Sequence, residues 1–88
     1  MAVYLVEINR SAGREIVALP NNMRVRVLAA VDLLAADPRP HGVKSIKGHP
    51  GQFRIRVGDY RVVYEIKDAV LVVLVVRVGH RREVYRGA

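Results

Sequence analysis

Arginines recur at strand spacing in the second half of the chain. In residues 53–57, Phe-Arg-Ile-Arg-Val, apolar and basic residues alternate strictly, so a β-strand would send Arg54 and Arg56 to one face. Gly58-Asp59 predicts a tight hairpin turn, after which Arg61 begins the returning strand. Because residues i and i+2 on a strand lie about 7 Å apart, Arg54 and Arg56 could bracket one phosphate and its neighbour. Arg61, one strand over, would complete a cationic cradle.

The end of the chain carries groups that could move a proton. Residues 77–86 read Arg-Val-Gly-His-Arg-Arg-Glu-Val-Tyr-Arg, and we expect them to lead away from the end of the sheet. His80 could act as acid or base, since an imidazole titrates near neutral pH. The phenol of Tyr85 could act as a base only if neighbouring arginines lower its pKa from the usual value near 10.

These residues also have ordinary structural interpretations. Alternating arginines on a strand are more often a solvated face than a site, and Arg61 could pair with Glu65 on the same face. The Arg81-Arg82 pair could serve solubility alone. Tyr60 and Tyr64 are predicted to pack in the core or across strands.

Composition limits the class of protein. The 88 residues are predicted to form one domain, residues 1–88, since 51% are hydrophobic and 26% are charged. The chain has no cysteine, which excludes disulfides and thiolate metal sites. His41 and His49 lack metal-ligand spacing, so we predict surface positions for them and no metal or cofactor. The absence of a basic-apolar leader or a membrane-spanning run predicts a cytoplasmic protein without a membrane partner.

The positive charge is concentrated in the second part of the chain. Residues 1–38 contain four arginines and four acids, whereas residues 39–88 contain eleven Lys and Arg against four acids, so the whole excess of +7 lies there. Such asymmetry favours a phosphate-binding surface, although a basic chain can also simply be soluble.

Apolar periodicity predicts the elements that position these side chains. A first strand is expected over Val3–Ile8, followed by a helix capped by Ser11 and ended by Pro20, and by a second helix from Asn21 or Asn22 to Asp37-Pro38. The expected buried stripes are Ala12, Ile16 and Leu19 on the first helix, and Met23, Val27, Ala30, Val31 and Leu34 on the second.

The second half of the chain is predicted to form the rest of a sheet. Residues 37–51 are expected to be a Gly- and Pro-rich loop, and the apolar run Ala69–Val76 a central strand buried on both faces. The predicted order is β-α-α-β-β-β. This is an α+β fold, with a helical hairpin on one face of a mostly antiparallel sheet and Arg54 and Arg56 on the other face.

At this point the sequence resembles the RelE toxins of bacterial and archaeal toxin-antitoxin systems, within the RelE/ParE superfamily. The resemblance covers nearly the whole chain. It rests on residues 53–56 (Phe-Arg-Ile-Arg), 58–64 (Gly-Asp-Tyr-Arg-Val-Val-Tyr), the valine-rich run to Gly79 and 81–85 (Arg-Arg-Glu-Val-Tyr). It implies a metal-free endoribonuclease that cuts messenger RNA in the ribosomal A site. It further implies a cognate RelB-like antitoxin, through which alone the toxin would contact operator DNA.

The resemblance also implies roles for individual residues. The family's two strand lysines fall on Arg54 and Arg56, its hairpin arginine on Arg61, its post-strand arginine on Arg81 and its terminal tyrosine on Tyr85. Tyr85 is expected to serve in proton transfer or in base stacking. His80 is a second candidate for proton transfer, and Lys44, Lys47 and Arg82 are expected to bind RNA. Arginine keeps its charge where lysine can shuttle a proton, so charge stabilisation is retained at positions 54 and 56 while proton transfer there stays open.

Two other functions stay open at this point. A ParE-type toxin that inhibits DNA gyrase uses the same scaffold without the nuclease residues, and the ending Arg-Glu-Val-Tyr weighs against it. The second is that of a non-catalytic, RNA-binding relative of RelE. It stays open because both lysine positions of the family hold arginine here.

Overall fold

A computed structural model describes residues 3–80. Within this part, five strands and two helices follow one another as β1 (Leu5–Ile8), α1 (Arg10–Val17), α2 (Asn21–Leu33), β2 (Lys44–Ser45), β3 (Gln52–Val57), β4 (Tyr60–Lys67) and β5 (Val72–His80). The strands form one sheet in the order β1-β5-β4-β3-β2. Only the β1 and β5 pair is parallel. The predicted α+β fold, with a mostly antiparallel sheet, is confirmed.

The core lies between the two helices and one face of the sheet. The predicted helix stripes are confirmed, since their central residues are buried and Met23 and Ala30 pack partly buried against them. Burial of each such aliphatic side chain contributes roughly 1.5–3 kcal/mol. The buried residues of this core are Ala12, Ile16, Leu19, Val27, Val31 and Leu34 from the helical part, and Ile55, Val57, Val62, Tyr64, Ile66, Val73, Val75 and Val78 from the sheet.

The first strand and helix begin elsewhere than the sequence predicts. The strand starts at Leu5, because the backbone N–H of Tyr4 donates to the carbonyl of Ala35 at 2.7 Å instead of to a strand. The cap of α1 is Asn9 and not Ser11, since the Asn9 side chain accepts a hydrogen bond from the N–H of Ala12 at 2.8 Å. Asparagine and serine are equally good caps, so sequence preference alone could not separate them.

Arg24 closes the connection between the two helices. Helix α1 ends at Val17, three residues before Pro20, and its last carbonyls need donors. The guanidinium of Arg24, on α2, donates to the carbonyl oxygens of Val17 at 3.1 Å and Leu19 at 3.0 Å. Pro20 itself precedes α2 as its N-cap residue. A side chain from the second helix therefore stabilises the end of the first.

The sheet differs from the prediction in strand β2 and at the start of strand β5. Residues 37–51 are not entirely loop, because Lys44 and Ser45 pair with Arg54 and Phe53 as strand β2. The run Ala69–Val76 is not a strand buried on both faces. Its first residues form the turn from β4, and Val73 and Val75 are buried while their strand neighbours are only partly covered. The helices cover one face of the sheet only, which explains this alternation.

Strand β5 continues through residues that were predicted to lie beyond the sheet. Arg77–His80 pair with Val63–Tyr60 of β4, after a bulge in which Val63 and Tyr64 face Arg77 and Val75. Because β5 has one extra residue in this bulge, Val78 faces the core side of the sheet, as Val75 does. Past the end of β1, the N–H of Val78 donates to the Glu15 carboxylate of α1 at 2.8 Å, so a helix side chain occupies the place of a neighbouring strand.

The loop after α2 is attached to the turn between β4 and β5 through Asp68. The Tyr4 hydroxyl donates to Asp68 Oδ1 at 2.6 Å, and the Arg39 guanidinium donates to both carboxylate oxygens at 3.2 and 2.8 Å. The same guanidinium lies 5.3 Å from the centre of the Phe53 ring. The hydrogen bonds from Arg39 and Tyr4 lower the pKa of Asp68 to about 2.

Neither helix in this described part is long and apolar enough to cross a membrane.

We expect Asp68→Asn to destabilise the protein in a pH-dependent way. A carboxyl whose pKa is lower in the folded state stabilises the fold above its unfolded pKa near 3.9, and this contribution is lost as the pH falls towards 2. The variant should therefore have a lower Tm than wild type at pH 6, with the difference closing between pH 4 and pH 2. Thermal unfolding followed by circular dichroism from pH 6 to 2.5 measures the difference in Tm. Asp32→Asn, at an exposed position of α2, is the control. A Tm difference that does not change over this range would contradict the assignment.

Candidate anion-binding site

Basic side chains from three neighbouring strands line one open cleft of about 200 Å³. We call it the cationic cleft and define it by Gly42, Lys44, Arg54, Arg56 and Arg61. Strand register brings the side chains together, because Lys44 pairs with Arg54 and Arg56 pairs with Arg61. None of the acidic residues between positions 3 and 80 lines it. The cleft is therefore suited to bind an anion, such as a phosphate group.

Arg61 contributes a buried donor to the cleft. Its Nη1 atom is buried and has no hydrogen-bond partner within residues 3–80. The alternative prediction of a pair with Glu65 is wrong, since no salt bridge joins these two residues in the described structure. A buried donor without a partner is costly. A bound oxyanion would supply the missing acceptor.

The hairpin turn orients Arg56. Val57 pairs with Tyr60, so Gly58-Asp59 is a two-residue turn as predicted, and Gly58 has φ 61°. Glycine at the first central position is typical of a type II′ turn. The Arg56 Nε donates to the Gly58 carbonyl at 2.8 Å, and its Nη2 lies 4.0 Å from Asp59. The backbone thereby fixes one edge of the guanidinium beside the cleft.

Val63 places an apolar side chain on the face of the sheet that carries the arginines. Val63 is only 6% exposed although it lies outside the helix-packed core. Its neighbours in register are Arg54 and Arg77, whose long aliphatic stems are suited to cover it. The Nε of Arg77 lies 3.6 Å from the carboxylate of Glu15. Glu15 therefore pairs with Arg77 and does not line the cleft.

The structure places His80 on the side of the sheet that packs against the helices. It pairs with Tyr60, and the two rings meet edge to face with centroids 5.7 Å apart. Residues lining the space beside it include Glu15 and Leu19. Tyr60 also packs against the core, and successive strand residues face opposite sides, so the sheet separates His80 from Arg61.

The remaining predicted residues are distributed as follows. Lys44 lies in the cleft, whereas Lys47 is exposed in the connection between β2 and β3 and does not line it. Arg81, Arg82 and Tyr85 lie outside the described residues. In residues 3–80, no group of three or more His, Asp or Glu side chains comes together as a metal site.

The predicted packing roles of Tyr60 and Tyr64 are confirmed. Tyr64 is fully buried, its ring centre lies 6.2 Å from that of Phe53, and its hydroxyl donates to the Pro38 carbonyl at 2.8 Å. Burial raises the pKa of the Tyr64 phenol to about 12. At neutral pH this phenol is therefore protonated and donates its hydrogen bond to Pro38.

Gly42 is a cleft residue that the sequence analysis missed. Its φ of 87° favours glycine, and it lies just before β2, where it forms one wall of the cleft. The Pro-His-Gly sequence at 40–42 signals a turn, but only the pairing of β2 with β3 shows which site that turn borders.

Comparison with known proteins agrees with this α+β architecture. A family model for the ParE toxin of the type II toxin-antitoxin system parDE matches residues 6–85. Toxin RelG of Mycobacterium tuberculosis is 34% identical over an alignment of 88 residues. The match covers 94% of this chain and 97% of RelG.

Solved toxin structures share the fold. The RelBE2 toxin-antitoxin complex of Mycobacterium tuberculosis matches with a TM-score of 0.80 and 29% identity, covering 91% of this chain and 100% of that one. The RelE-RelB complex of Pyrococcus horikoshii matches with a TM-score of 0.80 and 27% identity, covering 90% and 96%. The chain therefore belongs to the RelE/ParE superfamily and is the toxin of a type II toxin-antitoxin system.

We expect inorganic phosphate to stabilise the folded protein by binding in the cationic cleft. A ligand at five times its dissociation constant stabilises the fold by about 1 kcal/mol. Arg61→Gln should remove most of this gain, because it deletes the buried donor. Thermal unfolding in phosphate and in sodium chloride of equal ionic strength measures the effect. Lys67→Gln, the same charge change at the exposed far end of β4, is the control. An equal loss in both variants would show general screening instead of a site.

Proposed function

We propose that this toxin is a ribosome-dependent endoribonuclease that cleaves messenger RNA in the ribosomal A site and so inhibits translation. The observation that carries the proposal is the cationic cleft, in which Arg61 has a buried donor that no described residue pairs with. The resemblance to RelE supplies the substrate class. Because ribosomes are the site of action, we place the protein in the cytoplasm.

The reaction uses a nucleophile that RNA itself carries. The 2′-hydroxyl oxygen attacks the adjacent phosphorus, the bond from phosphorus to the 5′-oxygen breaks, and a 2′,3′-cyclic phosphate remains. A base takes the 2′-hydroxyl proton, and an acid protonates the leaving 5′-oxygen. The protein must align these groups and stabilise the charge that develops on the phosphoryl oxygens.

The arginines of the cleft suit the electrostatic part of this reaction. Arg54 and Arg56 are two residues apart on β3, and Arg61 pairs with Arg56 from β4. Planar guanidinium groups bind phosphate in a fixed fork. We assign all three to the scissile phosphate and its neighbour, with Lys44 at the edge of the cleft.

Proton transfer needs other residues, because arginine keeps its proton. We assign it to Tyr85, with Arg81 on the phosphate or leaving group and Arg82 on the RNA backbone, as the family resemblance implies. His80 is the weaker candidate, since it faces the helix side of the sheet beside Tyr60. Lys47 lies away from the cleft and is left with a peripheral contact to RNA.

We expect Arg54→Ala, Arg56→Ala and Arg61→Ala each to lower the cleavage rate about 10²- to 10³-fold while weakening ribosome binding much less. Groups that stabilise transition-state charge affect the rate more than binding. Cleavage of a ribosome-bound message and equilibrium binding to ribosomes measure the two effects. Lys67→Ala, at the exposed end of β4, controls for loss of charge. Proportional losses of binding and cleavage would make the three arginines docking residues.

Inhibition of DNA gyrase is the second candidate function, and the match of residues 6–85 to the ParE family model favours it. The two functions differ in what happens when the toxin is induced without its antitoxin. Nuclease action predicts growth arrest with messages cut only on engaged ribosomes. Arrest with intact messages and DNA breaks would assign the protein to gyrase inhibition instead.

We further propose a RelB-like antitoxin as partner, since two similar solved structures are toxin-antitoxin complexes. The outer side of the helical hairpin exposes large apolar residues, with Val17 and Leu33 each 71% exposed and Val25 62% exposed. An acidic amphipathic segment would cover such residues while its charge opposes the +7 of the chain. It would silence the toxin by covering the cationic cleft or by bulk that prevents entry into the ribosome.

Salt should separate the two contributions to antitoxin binding. If apolar contact supplies most of the affinity, the association rate should fall steeply with salt while the dissociation rate changes little. Stopped-flow kinetics and equilibrium binding across a salt series measure this. Val25→Ser, on the exposed side of α2, should raise the dissociation rate at every salt concentration. A dissociation rate that climbs as steeply as association falls would mean that charge holds the complex together.

A further inference from the structure

A second, apolar pocket adjoins the cationic cleft. It has a volume of about 270 Å³ and opens between helix α2 and strand β3. Buried Leu34 and Ile55 contribute to its lining, and it shares Gly42 and Arg56 with the cationic cleft. We call it the apolar pocket; its other lining residues are Ala30, Leu33, Pro40 and His41.

The pocket results from the shortness of β2. That strand pairs only with Phe53 and Arg54, so β3 beyond Arg54 has no neighbouring strand on this side. The turn at residues 40–42 crosses there, and a gap opens between it and α2. Gly42 lines both the pocket and the cleft, and a Cβ atom built on it would meet nothing within 4 Å.

We infer that the apolar pocket receives one nucleobase of an RNA strand whose phosphate lies in the cationic cleft. Resting on the proposed nuclease function, this inference adds a base-binding subsite to it. Proteins recognise single-stranded RNA by turning bases out of the strand and holding their flat faces against apolar or aromatic groups. Ala30 and Leu33 offer such an apolar surface, and the exposed His41 offers a ring at the rim.

The shared residue Arg56 favours a nucleotide over an apolar side chain of the antitoxin. A nucleotide joins a flat base to an anionic phosphate within a few ångströms, and the molecule places an apolar pocket and an arginine-lined cleft side by side with Arg56 on their border. An apolar peptide side chain would fill the pocket and leave the adjoining cations without a ligand.

The direct test uses the full-length toxin and a trinucleotide made uncleavable by 2′-deoxy residues at its first and central positions. Three matched trinucleotides each lack one base and keep every phosphate. We expect one abasic position to weaken binding about tenfold, the scale of a single base contact. The intact trinucleotide should also shift the methyl NMR signals of Ala30 and Ile55, and that abasic version should not.

A pocket-filling variant supplies the matched protein experiment. Ala30→Leu adds side-chain volume in the pocket, while Ala29→Leu adds the same volume on the exposed side of the helix. Ala30→Leu should weaken the intact trinucleotide about tenfold and leave the abasic one unchanged, and Ala29→Leu should change neither. His41→Ala, in an exposed loop, should weaken the intact trinucleotide without affecting folding.

Several results would overturn the inference. Equal binding of all abasic trinucleotides, or silent Ala30 and Ile55 methyl signals on RNA binding, would show that no base enters the pocket. Ala30→Leu that weakens antitoxin binding but not RNA binding would assign the pocket to the antitoxin. If the binding results are as expected but ribosomes show no cleavage, the nuclease proposal fails and the base pocket stands.

Discussion

The register of the hairpin between β3 and β4 determines which residues of this protein can form a site. The two-residue turn at Gly58-Asp59 pairs Val57 with Tyr60 and Arg56 with Arg61. Because strand side chains alternate, a slip of one residue would send Ile55 and Val57 to solvent and the arginines into the core. The core therefore selects one register, and the cationic cleft follows from that choice.

The cleft holds like charges together at a cost that the rest of the fold must offset. Arg54, Arg56, Arg61 and Lys44 repel one another, and the buried Arg61 donor lacks an acceptor within the described residues. An acid at this site would relieve the strain but compete with a phosphate. Among the acids of the described residues, Glu15 binds Val78 and Arg77, and Asp68 binds Arg39 and Tyr4. Asp59 lies 4.0 Å from Arg56 but does not line the cleft. Preorganised charge of this kind is what stabilises an anionic transition state.

The loop after α2 joins contacts that stabilise the fold to residues that line the cationic cleft. Asp68 and Arg39 hold its beginning against the β4-β5 turn, and the Tyr64 hydroxyl holds Pro38. From these fixed points the chain reaches Gly42 and then Lys44, both in the cleft. The same path leaves the gap beside α2 that becomes the apolar pocket.

The sequence by itself determined the fold class, the helix stripes and the cationic face. Period-two and helical periodicities depend on local geometry, which is written directly in residues such as 53–57. Tertiary structure decided what depends on distant partners. Two-residue β2 forms only because β3 lies beside it, and the start of β5 depends on how the chain turns back from β4. His80 faces the helices because a bulge shifts the alternation of β5, and no local pattern encodes that shift.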